Sequence, residues 1–169
     1  MDNFENLLDK LEFIKKKEVC ELAPRDTQEL LEIIHSAKPK DEWAERMVLG
    51  YLTTICAEYM HPDPLIIEKK LDFIGTELEK GHIIVRGDAG SGAGTAMLGG
   101  KITIEGIAGE NTCKSMLGGE LEAETIESLA NTLHGVVKAK KINKIEKKQG
   151  ADIYINGKKY KKGFFACFH

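Results

Sequence analysis

The sequence predicts an α+β protein in which four N-terminal helices precede a short, single-stranded right-handed β-helix of two or three coils and a C-terminal β-hairpin. Composition changes sharply near residue 81: all four prolines lie before it, and eleven of the seventeen glycines lie between Gly81 and Gly119. Apolar residues recur at helical spacing before this point, and a 19-residue pattern repeats after it. We therefore expect a helical subdomain at 1–80, a β-helix at 81–142 and a hairpin cap at 143–169.

The first two helices follow from apolar spacing and a capping motif. An amphipathic pattern predicts a first helix that begins near Phe4 and runs to about Lys17. Asp26, with Glu29 three residues later, is typical of a capping box at the start of a second helix. This second helix should end before Pro39, because proline cannot continue it.

The next two helices are bounded by prolines. A third helix is predicted from about Asp41 to Pro62, with a broad apolar face that makes it the central helix of this half. Pro64 then sits where a first helical position would follow a cap, and Gly81 is a natural C-terminal stop for a fourth helix. The narrow apolar stripe of that fourth helix consists of Ile67, Leu71, Ile74 and Leu78.

The repeat appears when residues 83–100 are aligned with residues 102–119, because eight of the eighteen positions are identical without a gap. A period this short, with glycines at fixed positions, indicates stacked coils. Repeated glycines supply positive φ or close backbone approach at the corners. The repeat positions expected to build the coils are Gly87, Ala89, Gly90, Met97, Gly99 and Gly100, with Gly106, Ala108, Gly109, Met116, Gly118 and Gly119.

Each coil should stack on the next through parallel strands about 4.8 Å apart. Alternation then directs Ile83 and Val85 inward, where they meet Ile102 and Ile104 of the following coil. The remaining walls are predicted to be filled by three stacked pairs: Ala89 with Ala108, Met97 with Met116, and Leu98 with Leu117.

After Gly119 the pattern weakens but continues. Residues 120–123 fit the strand position of a third coil that ends near Ile142, and residues 133–135 resemble a shortened form of the Met-Leu-Gly-Gly corner. Asn156-Gly157 predicts a two-residue hairpin turn. A hairpin there would cover the open end of the solenoid, which otherwise exposes unpaired edges.

The residues GDAGSGAGTAMLGGKITIEGIAGENTCKSMLGGELEAE resemble the GXGXG β-helix module found at the C-terminal end of the glutamate synthase large subunit and in one of the subunits of formylmethanofuran dehydrogenase. The likeness covers roughly Gly81 to Lys140. It implies a β-helix that packs against catalytic domains or subunits, with no catalytic side chain and no cofactor of its own. The chain departs from the family in having fewer coils and four preceding helices.

Two alternative sites come from single motifs. The glycine-rich run from Gly87 to Thr95 follows a strand and invites an anion-binding interpretation, but it matches neither common phosphate-loop pattern and no helix pattern follows. Cys167 and His169, with His134 or Cys113, are a conceivable metal site. Structural roles are favoured for both motifs.

Charge and hydropathy limit the partners. The formal charge of −3 gives no general attraction to nucleic acid, and no apolar run is long enough to span a bilayer. The N-terminus lacks the pattern of a secretory signal, so a cytoplasmic protein is expected. Lysines at 138–148 and 158–162 are either solvated edge-blocking residues or a docking face for an acidic partner.

The sequence therefore favours a non-catalytic assembly module that binds a protein partner or its own copies, with no catalytic, cofactor-binding or metal-binding residue. A stand-alone enzyme ranks lower, because no nucleophile with its base and no carboxylate pair is evident. The alternative is a small-ligand-binding or regulatory protein with a pocket between the helices and the first coil. That pocket would be lined by Tyr59, His61, His82 and Asp88.

Overall fold

The computed structural model describes residues 3–147 and 149–161, which form four helices followed by a parallel β-solenoid. The helices are α1 (Asn3–Lys10), α2 (Lys16–Leu22), α3 (Thr27–Ser36) and α4 (Trp43–Met60). The strands are β1 (Leu65–Ile67), β2 (His82–Val85), β3 (Lys101–Ala108), β4 (Glu120–Leu129), β5 (Val136–Ile145), β6 (Asp152–Ile155) and β7 (Lys158–Lys159). The predicted α+β class is confirmed. Within these ranges, no helix has the length and apolar character needed to cross a membrane.

The predicted first helix ends early, at Lys10, and a separate helix that the sequence did not predict, α2, begins at Lys16. The carboxylate of Glu18, in the first turn of α2, accepts hydrogen bonds from the backbone N–H groups of Glu12 and Phe13 at 3.0 and 2.8 Å. These groups therefore face a side chain rather than the carbonyls four residues earlier. Apolar spacing alone did not reveal this break, because residues on both sides of it pack on the same core.

The next two helices agree closely with the prediction. The side chain of Asp26 accepts a hydrogen bond from the N–H of Glu29 at 2.9 Å, as an N-cap residue should. Helix α4 ends at Met60, just before Pro62, and its buried residues run continuously from Met47 to Ala57. It is the central helix of this half, as expected.

The predicted fourth helix is wrong. Leu65–Ile67 is a strand, and the residues that follow it form turns which complete a first coil. The parallel sheet therefore begins at Leu65, ahead of the boundary expected at residue 81. The four residues of the proposed helical stripe are all buried, but they face the solenoid interior. Their spacing fits a helix face and a coil equally well, and stacking on the next coil decides between them.

Five successive parallel pairings join β1 to β6, so the solenoid makes about five turns, more than the two or three expected. Connections between parallel strands of this kind are right-handed. Ile83 pairs with Ile102, and Ile102 with Leu121, at the predicted spacing of 19 residues. Later coils are shorter: Leu121 pairs with Val137, 16 residues on.

The interior ladder is largely as predicted. Ile83 and Val85 are buried against Ile102 and Ile104, and the ladder continues through Leu121, Val137 and Ile153 in later coils. The alanine and methionine pairs are also buried. The leucine pair is the exception: Leu98 and Leu117 are 44% and 47% exposed.

One wall of the first three coils consists of stacked left-handed residues. Gly92 and Gly94 have φ near +74°, and Ala96 has φ +52°. The residues one coil before and one coil after them also have positive φ: Phe73, Gly75 and Glu77, then Asn111, Cys113 and Ser115. Glycine is favoured in this conformation but not obligatory, so the wall repeats in structure where its sequence does not.

Helix α4 covers the N-terminal end of the solenoid. Gly50 lies so close to the first coil that an added Cβ would be 2.5 Å from the Phe73 carbonyl oxygen. The hydroxyl of Thr53 accepts from the Gly75 N–H at 3.1 Å, and that of Thr54 donates to the Thr76 carbonyl at 2.7 Å. These side chains satisfy backbone groups that have no preceding coil to pair with.

The C-terminal end is built differently. β7 pairs antiparallel with β6 through a turn at Asn156 and Gly157, which confirms the predicted hairpin. β6 pairs with residues 136–139 of β5, so it lies over the first part of that strand. Residues 162–169, which complete the proposed cap, lie outside the described residues, and the capping role stays a prediction.

Candidate functional site

The glycine-rich run does not present a set of free amides to an anion. The N–H groups of Gly90 and Gly94 donate to the carbonyls of Leu71 and Ile74 at 2.9 and 2.8 Å. Those of Ser91 and Gly92 donate to the Asp72 carboxylate and the Glu110 carbonyl, both at 2.8 Å. A phosphate site of this kind requires unpaired N–H groups. The run is therefore a stack of turns, as the repeat predicted.

The repeat glycines are required by close contact between coils. A Cβ at Gly99 or Gly118 would lie 2.3 Å from a carbonyl oxygen of the preceding coil, in Glu79 and Leu98 respectively. Gly106 donates to the Gly87 carbonyl at 2.9 Å, and its own Cβ would also clash there. These positions are explained by the fold and need no ligand.

The four residues proposed for a pocket have separate partners. The Tyr59 hydroxyl lies 3.5 Å from the Cys20 sulfur, and this contact together with burial raises the pKa of Tyr59. His61 is exposed at the end of α4. His82 Nε2 lies 2.9 Å from the Thr103 hydroxyl, and burial, aided by nearby Lys101, lowers the pKa of His82.

The fourth of these residues, Asp88, lies in a cleft that the sequence did not predict. One of its carboxylate oxygens accepts from the Ile107 N–H at 2.8 Å. The cleft has a volume of about 210 Å³ and contains three carboxylates and one lysine. It is lined by Lys70, Asp72, Asp88, Ala89, Gly90, Ser91, Ile107, Gly109 and Glu127.

Asp72 joins this cleft to the helical half. Its carboxylate accepts from Arg46 of α4 at 3.0 Å and from the Ser91 N–H at 2.8 Å. Gly90 makes room for it, because a Cβ there would lie 2.0 Å from the Asp72 carboxylate oxygen. Sequence reasoning missed Asp72 because the residue was assigned to a helix that does not exist.

The lysines in the first half of β5 do not form a free basic surface. Lys138 pairs with Glu120 at 2.7 Å and Lys140 with Glu124 at 2.9 Å, both across the β4–β5 ladder. The hydrogen bond from Lys138 outweighs partial burial and lowers the pKa of Glu120. In this part of the predicted docking face, lysines therefore alternate with glutamates of the neighbouring strand. Lys141, in contrast, has no ion pair with any described residue.

The proposed metal site is not assembled by the residues that the structure describes. Cys113 is fully buried in the third coil, and burial raises the pKa of its thiol. His134 lies at a corner against Gly150. Cys167 and His169 lie outside the described residues. In the ranges 3–147 and 149–161, no cluster of three histidine, cysteine, aspartate or glutamate side chains is suited to a metal ion.

The two cysteines of the helical half differ in burial. Cys56 of α4 is buried, and this burial raises the pKa of its thiol to about 12. Cys20 is only partly covered and contacts Tyr59.

Comparison with known proteins does not add a family. No protein-family model matches the chain, and neither the curated proteins nor the solved structures give a match. The fold and the contacts above are therefore the basis for the functional proposal.

Proposed function

We propose that the protein is a non-catalytic assembly module whose solenoid binds another protein. The observation that carries this proposal is the exposure of Leu98 and Leu117. Each belongs to the four-residue block that is identical in both repeats, and the fold accounts for the other members: Met97 and Met116 are buried, and the glycines allow close stacking.

The two leucines lie one above the other on the outside of consecutive coils. The N–H of Leu117 and the N–H of Leu98 occupy equivalent places, donating at 2.8 Å to Met97 and Leu78 of the preceding coil. Beside them, Gly99 and Gly118 have no side chains that would cover the leucines. An apolar residue that is repeated but exposed is better explained by contact with another protein than by a role in folding.

The resemblance to the GXGXG module suggests the kind of complex. In this proposal, the partner belongs to an oxidoreductase assembly like those of glutamate synthase or formylmethanofuran dehydrogenase. The catalytic groups would reside in that partner. This role rests on the sequence resemblance and on the exposed leucines.

The test is affinity purification of the full chain from its native cell, compared with the Leu98→Ser/Leu117→Ser double variant. We expect wild type to retain a stoichiometric partner that the variant loses, while both keep the same circular dichroism spectrum. Lys114→Ser, on an exposed neighbouring position, is the control and should retain the partner. If the double variant retains the partner as well as wild type does, the leucines are not the contact.

The cleft around Asp72 and Asp88 supports the alternative of a small-ligand-binding or regulatory protein. It is lined by residues of the first four coils, and the ion pair between Arg46 and Asp72 links it to α4. A screen of charged metabolites by thermal shift, repeated on Lys70→Ala, tests it. A ligand that stabilises wild type and not the variant would favour this function over the assembly role.

A further inference from the structure

One edge of β5 is left open among the described residues. β4 pairs with β5 along its whole length, from Val136 to Ile145, whereas β6 covers residues 136–139. Within the described ranges, therefore, the segment 141–145 has a strand on one side and none on the other. Unpaired edges of this kind accept an additional extended segment.

The direction of the backbone groups can be read from their partners. Val136 and Glu146 donate to the carbonyls of Gly119 and Leu129 on the β4 side, at 3.0 and 2.9 Å. The Ala139 carbonyl accepts from Asn156 on the opposite side at 2.8 Å. Since neighbouring residues of a strand alternate, the N–H and C=O of Asn143 face the open edge.

The lysines of β5 indicate which side chains an added strand should carry at this edge. β4, the neighbour it already has, carries Glu120 and Glu124, and both form ion pairs with β5 lysines. Under Lys141 and Lys144, however, β4 carries Thr125 and Ser128. Lys144 reaches Glu146 of its own chain segment at 3.5 Å, and Lys141 pairs with no described residue.

The apolar residues of the same segment define the other requirement. Ile142 and Ile145 stack on Ile126 and Leu129 and are partly buried against the core. Each is the last residue of its ladder in the described part of the chain. An added strand would need apolar residues above these two positions and acidic residues above the lysines.

We propose that the open edge of β5 at residues 141–145 binds an extended acidic segment of a partner protein, which adds to the solenoid as a further strand. This rests on the proposed assembly function but uses a surface separate from Leu98 and Leu117. A second copy of the chain does not fit the edge, because it would bring its own Lys141 and Lys144 against these lysines.

The experiment measures, by fluorescence anisotropy at low ionic strength, the binding of a fluorescein-labelled peptide to the full chain. The peptide is ELEAEEIEEL, the β4 sequence with glutamate in place of Thr125 and Ser128, so that acidic residues lie over Lys141 and Lys144. We expect saturable binding that weakens at least tenfold in Lys141→Glu/Lys144→Glu and in Asn143→Pro. Asn143→Ala, which keeps the backbone N–H, is the matched control and should bind like wild type. A peptide with lysine in place of every glutamate should not bind.

Four results would overturn the proposal. The first two are the absence of saturable binding, and equal binding by wild type and the charge-reversed variant. The third is binding that requires removal of residues 162–169, which would make the chain's own terminus the occupant. The fourth is self-association of wild type that disappears in the double variant, which would make a second copy the occupant. If Asn143→Pro does not fold, a peptide with proline at the position over Lys144 tests the same edge, because that N–H would face the Asn143 carbonyl. The two proposals can fail separately. If no leucine-dependent partner is found but the peptide still binds at residues 141–145, the proposal about the leucines fails and the proposal about the strand edge stands.

Discussion

The two ends of the solenoid differ in how the backbone groups of their outermost strands are paired. At the N-terminal end, α4 supplies side-chain partners to the backbone of the first coil and packs closely enough to require Gly50. At the C-terminal end, a hairpin extends part of β5 and leaves residues 141–145 unpaired among the described residues. Under the proposals above, the first end is fixed for stability and the second is kept for interaction. We therefore expect substitutions at the first end to cost much more stability.

The largest effect is expected from Gly50→Ala. Alanine is normally the better helix residue, but here the new methyl group would clash with the Phe73 carbonyl oxygen, so the variant should lose about 3 kcal/mol. Urea unfolding measures the difference. Gly157→Ala in the hairpin turn is the control: nothing lies within 4 Å of its added Cβ, and the positive φ alone should cost about 1 kcal/mol. Equal losses would contradict a tight contact at α4.

The next effect concerns Lys16, which joins α2 to α4 and to the first coil. It pairs with Glu58 at 2.8 Å and Glu79 at 3.3 Å. Burial opposes its charge, but the hydrogen bonds and charges of the two glutamates outweigh burial and raise its pKa. We expect Lys16→Met to lower the free energy of unfolding by about 2 kcal/mol at neutral pH, because the Glu58 carboxylate then lacks its positively charged partner.

The pH dependence of this pair has a defined sign. Since the folded-state pKa of Lys16 is raised, its contribution is fully present below the ordinary value of 10.5 and disappears as pH rises through the folded-state value. The stability difference between wild type and Lys16→Met should therefore shrink in alkaline solution. A difference that stays constant across that range would show that packing of the side chain, rather than its charge, is responsible.

A smaller effect is expected for the two threonines of α4. Thr53→Val and Thr54→Val each leave a backbone group of the first coil without its partner and should cost about 1 to 2 kcal/mol. Thr54→Ser keeps the hydroxyl and should recover most of the loss. Thermal and urea unfolding would give both values. A Thr54→Val protein as stable as wild type would mean that water replaces the side chain.

The smallest effect should be at the open end. Asn143→Pro removes an N–H that faces no described strand, so its cost in unfolding free energy should stay below about 1 kcal/mol. A large loss would show that the edge is already paired. Such a result would remove the contrast between the two ends.

The sequence predicted those parts of the fold where residue identity repeats. The two aligned copies gave the 19-residue spacing, the inward-facing isoleucines and the purpose of the glycines. The first coil was missed because Glu79 and Lys80 occupy the corner where the next coil has Leu98 and Gly99, and because its buried residues also fit a helix. What defines that coil is hydrogen bonding to its neighbour, which no local pattern expresses.

The candidate site was less predictable. Asp88 lies in the cleft, but Arg46 and Asp72, which form the ion pair beside it, come from a helix and a coil that lie far apart in sequence. The exposed leucines were expected inside because identical apolar residues of the repeat were assigned to the inner walls of the coils. A repeat shows that a position matters in both copies, and only the structure shows whether it faces inward.

The coils of the solenoid become shorter from its N-terminal to its C-terminal end. Coils that carry the left-handed wall have 18 or 19 residues, and the two that follow have 16, so the cross-section narrows toward the C-terminal end. A further 19-residue coil inserted between the second and third coils would match both of its neighbours. Next to the 16-residue coils, the same unit would extend beyond its neighbours. The wide half is thus where duplication could lengthen this protein, and where a designer should insert a coil to move its two ends farther apart.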